Sequence, residues 1–142
     1  MVLSRIFWDT TLFVYLFEDY GDLTERVAEL RRRMVDRGDQ LFTSTLTLGE
    51  ILVKPNEKGD HELARKYERT LQTSASIIPF DNQAAIQYAS LRQDHSLKGP
   101  DAIQLACAAQ AQTDLFITND QRLAGKIVSG IQFVSSLQRA FL

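Results

Sequence analysis

The sequence predicts an α/β fold, with a central, mainly parallel sheet of four to five strands covered by helices on both faces. Three observations carry this. Five short apolar runs, each closing on polar residues, recur along the chain: RIFWDT, QLFTST, SIIPFDN, DLFITND and IQFVSS. Between them lie longer segments whose apolar residues fall at helical spacing. The runs are continuous rather than alternating, as in strands buried on both faces, and strands that alternate with helices build βαβ units.

Taken in order, RIFW is the first strand, and TTLFVYLFED after it is a helix that Asp9 can cap. In DLTERVAELRRRMVDRG, Leu23, Val27, Leu30, Met34 and Val35 share a helical face, and Gly38 is a natural stop. QLFTS is the second strand, and a helix starting near Thr45 to Thr47 buries Leu48, Ile51 and Leu52. Helices are expected over Asp60 to Thr73, around the third run, and over Asp81 to His95, where Ala85, Ile86, Ala89 and Leu91 supply the apolar positions. DAIQLACAAQAQ is apolar nearly all round, which marks a buried helix. The fourth and fifth strands, DLFIT and IQFVSS, complete the sheet.

At 142 residues the chain is expected to form one domain over 1–142, large enough to bury roughly two thirds of its unfolded surface. The single cysteine, Cys107, excludes an intrachain disulfide and fits a reducing, cytoplasmic setting. Asp9 and Thr10 interrupt the apolar N-terminal run, which argues against a signal peptide, and no segment reaches the ~18 apolar residues of a membrane span. A net charge of −2 gives no global attraction for a polyanion, so any nucleic-acid surface must be local.

Ligands of open α/β sheets bind in the crevice beyond the carboxyl ends of the strands. Asp9 and Asp120 stand at two such ends, Asp101 opens a helix after a Gly-Pro turn, and Glu50 lies between apolar neighbours in TSTLTLGEILVKP. Each has a structural reading. Asp9 and Asp120 can cap helices, the latter one running through Arg122, Leu123 and Lys126; Asp101 can complement a helix dipole, and Glu50 can pair with Lys54 at i,i+4. The conjunction of four acids at strand ends and helix starts, each beside small or hydroxyl residues, points instead to a shared site.

The order D-T at the first strand end (Asp9, Thr10), an acid in the helix after the second strand (Glu50), P-D-A-x-x-x-A at a helix start (Asp101) and T-N-D at a later strand end (Thr118, Asn119, Asp120) resembles the PIN domain, and within it the VapC-type toxin ribonucleases. Thr11 stands where many members have Asn or Ser, and Gly49 departs by sitting inside a helix. The resemblance spans nearly the whole chain. It implies a three-layer α/β/α sandwich that hydrolyses RNA with magnesium or manganese, a homodimer, and an antitoxin peptide that packs over the site. Mg²⁺ takes oxygen ligands and is held by one or two carboxylates plus water and phosphate, which the acidic set suits. Asp9, Asp101 and Asp120 are the expected ligands and Glu50 a ligand or base. Thr10, Thr118 and Asn119 are expected to orient them. Lys54, Lys98 and Arg122, with Lys58 and Lys126, are the cations placed to meet RNA phosphates.

Other chemistries fit less well. His61 and His95 have no zinc spacing with Cys107, which LACAA marks as a core thiol. No nucleophile elbow or phosphate-cradling glycine loop is present. An aspartyl-nucleophile phosphatase would want an acid where Thr11 stands. A non-catalytic interaction module, its acids serving as caps, has the aromatic segment LFVYLFEDY in its favour, since Phe13, Tyr15, Phe17 and Tyr20 cannot all face one core.

Overall fold

The computed structural model describes residues 4–140. Strands β1 (Arg5–Trp8), β2 (Gln40–Ser44), β3 (Ser76–Ile78), β4 (Thr113–Thr118) and β5 (Ile131–Ser136) form one sheet in the order β3-β2-β1-β4-β5. Every pairing between them is parallel. Six helices accompany them: α1 (Thr10–Phe17), α2 (Asp22–Arg37), α3 (Thr45–Glu57), α4 (His61–Ser74), α5 (Asn82–Leu91) and α6 (Gly99–Gln110).

Strand periodicity explains the three layers. Successive side chains point to opposite faces, so Ile6 and Trp8 of β1 join one core with Leu41 and Ile117, while Phe7 joins the other with Phe42 and Phe116. The first core is closed by Leu12, Phe13, Val27, Leu30, Met34, Ile51 and Leu71 from α1 to α4. The second is closed by α5 and α6, and within it the rings of Phe7 and Phe116, adjacent in register, stack at 5.2 Å. All five expected strands are present, and the α/β/α architecture is as the sequence predicts.

Two helical faces differ from expectation. In α2, Val27, Leu30 and Met34 are buried but Val35 is 60% exposed, because it lies one residue, or 100°, beyond Met34. In α5 the inward residues are Ala84, Tyr88 and Leu91, at i, i+4 and i+7, and Ile86 is 69% exposed. The helix stops at Leu91, short of His95, where Asp94 accepts from the Ser96 amide to form a turn. By contrast, α6 is buried nearly all round, through Ala102, Gln104, Leu105, Ala106, Cys107, Ala108 and Ala109. Its alanines let neighbouring backbone approach closely. Gly130, which leads into β5 with φ +93°, leaves a gap where a Cβ would come within 2.9 Å of the Ala109 carbonyl.

The strand order places the site. The chain builds outward from β1 through β2 to β3, then returns to lay β4 on the other flank of β1. Connections therefore diverge at the carboxyl ends of β1 and β4, which opens a crevice there. Asp9 follows β1, Asn119 and Asp120 follow β4, and α3 springs from the end of β2.

Candidate functional site

Asp9, Thr10, Glu50 and Asp101 line one pocket of about 440 Å³, with Thr11, Val14, Tyr15, Tyr20, Pro100 and Gln104. Asp9 is the N-cap of α1, its carboxylate accepting from the Thr11 amide at 3.2 Å. The capping reading is thus correct, and the same side chain also faces the pocket. Thr118, fully buried at the end of β4, donates its hydroxyl to the other oxygen of Asp9. Asp9 is only 9% exposed. Burial raises its pKa from 3.8 to about 6, against the pull of the Thr118, Thr11 and Leu12 hydrogen bonds and with a further rise from the charge of Asp101.

Asp101 sits in the first turn of α6, half-buried. Burial and then the charge of Asp120 push its pKa up, Arg122 and Lys98 pull it down, and Glu50 adds to the rise. Four carboxylates therefore feel one another, yet their immediate partners differ. Asp120 stands beside the pocket and is held by its neighbour: the Arg122 amide and Nε both donate to Oδ1, at 2.9 and 3.0 Å, and this lowers its pKa. The segment after it is a series of turns, not the helix the capping reading required. Asn119 donates to the Tyr15 hydroxyl at 2.8 Å and so fixes a ring of the pocket wall.

Glu50 does not pair with Lys54. That lysine reaches Glu18 at 3.1 Å, and Glu50 accepts from the Thr10 hydroxyl at 2.6 Å. Beneath it lies a buried polar chain that sequence reasoning missed. Gln104, 4% exposed, donates from its amide to the hydroxyls of Thr10 (3.0 Å) and Thr47 (2.9 Å) and accepts from Ser44 at 2.6 Å. Thr43 donates either to Thr47 or to the Trp8 carbonyl, at 2.9 Å in both cases. The Thr10 hydroxyl, which donates to Glu50, also lies 3.0 Å from the Thr47 hydroxyl, where either oxygen can be the donor. The chain thus runs from the buried Ser44 to the carboxylate on the pocket wall. Its signal in the sequence was an amide, Gln104, set among the apolar residues of the buried helix.

Among the described residues, Asp9, Glu50 and Asp101 form no salt bridge. Among the described residues no three or more His, Cys, Asp and Glu side chains come close enough together to hold a metal ion, so the expected ligand set of Asp9, Asp101 and Asp120 is not assembled as one cluster. The fit to a hard cation rests instead on donor chemistry: two aspartates and a glutamate on one pocket wall, and a buried carboxylate, Asp9, whose charge lacks a cationic partner. One or two carboxylates with water filling the other positions is what Mg²⁺ accepts. Of the expected phosphate-binding cations, Lys54, Arg122 and Lys126 are engaged by Glu18, Asp120 and Asp94, whereas Lys98 forms no ion pair among the described residues.

A parallel sheet with helices on both faces and carboxylates lining a pocket beside its switch point defines an α/β class, and the comparisons narrow it. The PIN domain profile matches residues 6–126, and the chain belongs to the PIN-domain family. By fold it is similar to a toxin-antitoxin complex from Klebsiella pneumoniae, with a TM-score of 0.65 and 24% identity over 89% of this chain and 94% of that one. It is also similar to DNA-bound VapBC from Salmonella typhimurium, with a TM-score of 0.70 and 16% identity over 95% and 99%. A Mycobacterium tuberculosis toxin described as cleaving the sarcin-ricin loop gives a TM-score of 0.62 and 17% identity over 78% and 86%. No curated protein matches the chain.

Proposed function

We propose that residues 1–142 form a single metal-dependent endoribonuclease domain, the toxin of a type II toxin-antitoxin pair. The observation that carries the reading is the pocket at the β1/β4 switch point, where Asp9, Glu50 and Asp101 meet without a cationic partner. Asp9 and Asp101 would hold the cation, with Asp120 a further ligand, directly or through water. Magnesium or manganese bound there supplies Lewis acidity and neutralises charge building on the phosphate. Glu50, aimed by Thr10, takes the proton of the attacking water. The water oxygen bonds to phosphorus as the bond to the leaving oxygen breaks, and that oxygen takes a proton from solvent. Thr118 keeps Asp9 oriented, and Lys98, with no ion pair among the described residues, faces the flanking phosphates.

Partners follow from the same reading. The similar structures include a toxin-antitoxin complex and DNA-bound VapBC, which supports a cognate antitoxin here; a homodimer and a cytoplasmic setting belong to the same proposal. No helix among the described residues is long and apolar enough to cross a membrane. Purified protein incubated with structured and single-stranded RNA should cleave with Mg²⁺ or Mn²⁺ and be silent with chelator. Asp9→Asn and Asp101→Asn should each abolish cleavage, since an amide is a poorer, uncharged ligand. Full activity in either variant refutes the assignment. A neighbouring antitoxin frame whose product silences the enzyme separates a toxin from a solitary RNA-processing nuclease.

A further inference from the structure

The cations near the pocket are not equally available. Lys54, Arg122 and Lys126 are spent on ion pairs, and Asp94, the acid nearest in sequence to Arg92, is taken by Lys126 at 2.8 Å. Arg92 is exposed and forms no salt bridge among the described residues. Its guanidinium donates to the Tyr88 hydroxyl at 3.1 Å and lies 5.8 Å from that ring's centre, so its plane is held before any ligand arrives.

Position ties this group to the carboxylates. α5 folds back along α6, and the Arg92 Nη1 atom lies 3.2 Å from where a Cβ on Gly99 would stand, in the same helical turn as Asp101. Lys98, next in the chain, is close enough for its charge to act on both Asp101 and Asp120. Beyond Tyr88 the surface continues to Phe80, 39% exposed, whose ring meets Tyr88 edge-on at 5.7 Å. The Phe80 amide is fixed by Thr45, the first residue of α3, one residue past Ser44, which bonds Gln104 of the pocket.

Building on the nuclease reading, we propose that Phe80, Tyr88, Arg92 and Lys98 form a subsite for single-stranded RNA flanking the scissile phosphate. A base stacks on Phe80, and Arg92 and Lys98 meet the backbone phosphates between it and Asp101. An exposed ring beside a preorganised, unpaired guanidinium is the combination that binds single strands with little sequence preference. Duplex RNA keeps its bases stacked on each other and cannot supply one to the ring.

The test is fluorescence anisotropy with a labelled ten-nucleotide RNA, single-stranded or annealed to its complement, in chelator so that no cleavage occurs. Wild type should prefer the single strand. Phe80→Ala and Phe80→Leu should weaken it roughly tenfold or more, and Arg92→Gln should reduce the salt slope by about 0.7. Arg32→Gln on α2, whose side chain pairs with Glu29, removes the same charge and should change neither. With metal, the Phe80 and Arg92 variants should raise KM on the ten-mer and leave kcat on a dinucleotide unchanged. If the single strand binds but the Phe80 and Arg92 variants match wild type or Arg32→Gln, the subsite is refuted and the nuclease reading stands. Absence of RNA binding by folded wild type in chelator also refutes the subsite, and absence of cleavage with metal is what overturns the nuclease reading.

Discussion

Replacing Asp9 with Asn in metal-free protein isolates the electrostatic load that the site places on the fold. The carboxyl of Asp9 ordinarily titrates at 3.8 and is raised to about 6 here, chiefly by burial. At about 1.4 kcal/mol for each pH unit, this amounts to about 3 kcal/mol. Between roughly pH 4 and 6 the folded chain binds this proton more tightly than the unfolded chain. Stability contributed by Asp9 therefore falls as pH rises through that window and levels off above it. Asn caps helices as well as Asp but does not titrate, and it loses one acceptor, worth about 1 kcal/mol. Urea denaturation in chelator at fixed ionic strength, run on both proteins from pH 4 to 8, reads the difference. Asp9→Asn should be the less stable protein at pH 4 and the more stable at pH 7, the difference swinging by about 3 kcal/mol. Other carboxylates, such as Asp94 and Asp120 with their lowered values, titrate in both proteins and cancel. A difference that stays flat within about 0.5 kcal/mol would refute the burial argument and make Asp9 a plain cap.

Gln104→Leu, nearly conserving volume, should leave the Ser44 hydroxyl without its acceptor and remove both donors to Thr10 and Thr47, destabilising the protein by about 1–3 kcal/mol in the same assay. Cleavage should fall with it, since the Thr10 hydroxyl that bonds Glu50 loses its Gln104 donor; unchanged stability and activity would show the chain to be idle. Cys107, fully buried with its thiol pushed up to about 12 by burial and then by the charge of Asp81, should stay unmodified by iodoacetamide at pH 8 until urea unfolds the protein. Gly49→Ala, in a helix where a Cβ meets nothing within 4 Å, should stabilise by about 0.5–1 kcal/mol. A lower melting temperature would show that the glycine is needed where it stands.

Legibility in the sequence followed the physics of each signal. The central strands β1, β2 and β4 were readable because sheet burial on both faces leaves uninterrupted apolar runs, and α6 because burial all round does the same for a helix; the edge strands β3 and β5 kept such runs although partly exposed. The apolar faces of α2 and α5 were misassigned at Val35 and Ile86, where a partial stripe can be turned by one residue without changing its spacing. Asp9, Thr10, Glu50 and Asp101 were singled out from position at element ends, and they do line one pocket. The hold of Arg122 on Asp120 was not legible, since a side chain bonding two residues back leaves no periodic trace. Nor was the Ser44–Gln104–Thr47–Thr10 chain, whose members are far apart in sequence and meet only through the β2, α3 and α6 packing.

The pairing of β1 with β4 also sets a time. Thr118 grips Asp9 across 109 residues of chain, and at about 5–20 residues per second a ribosome needs roughly 5–20 seconds to make that span. Throughout it the first aspartate exists without its hydrogen-bond partner, and the crevice has only one wall. The nascent chain thus carries Asp9, Glu50 and Asp101 before the strand that grips Asp9 exists. Synthesis itself is a delay line, ending only when the fourth strand emerges and docks.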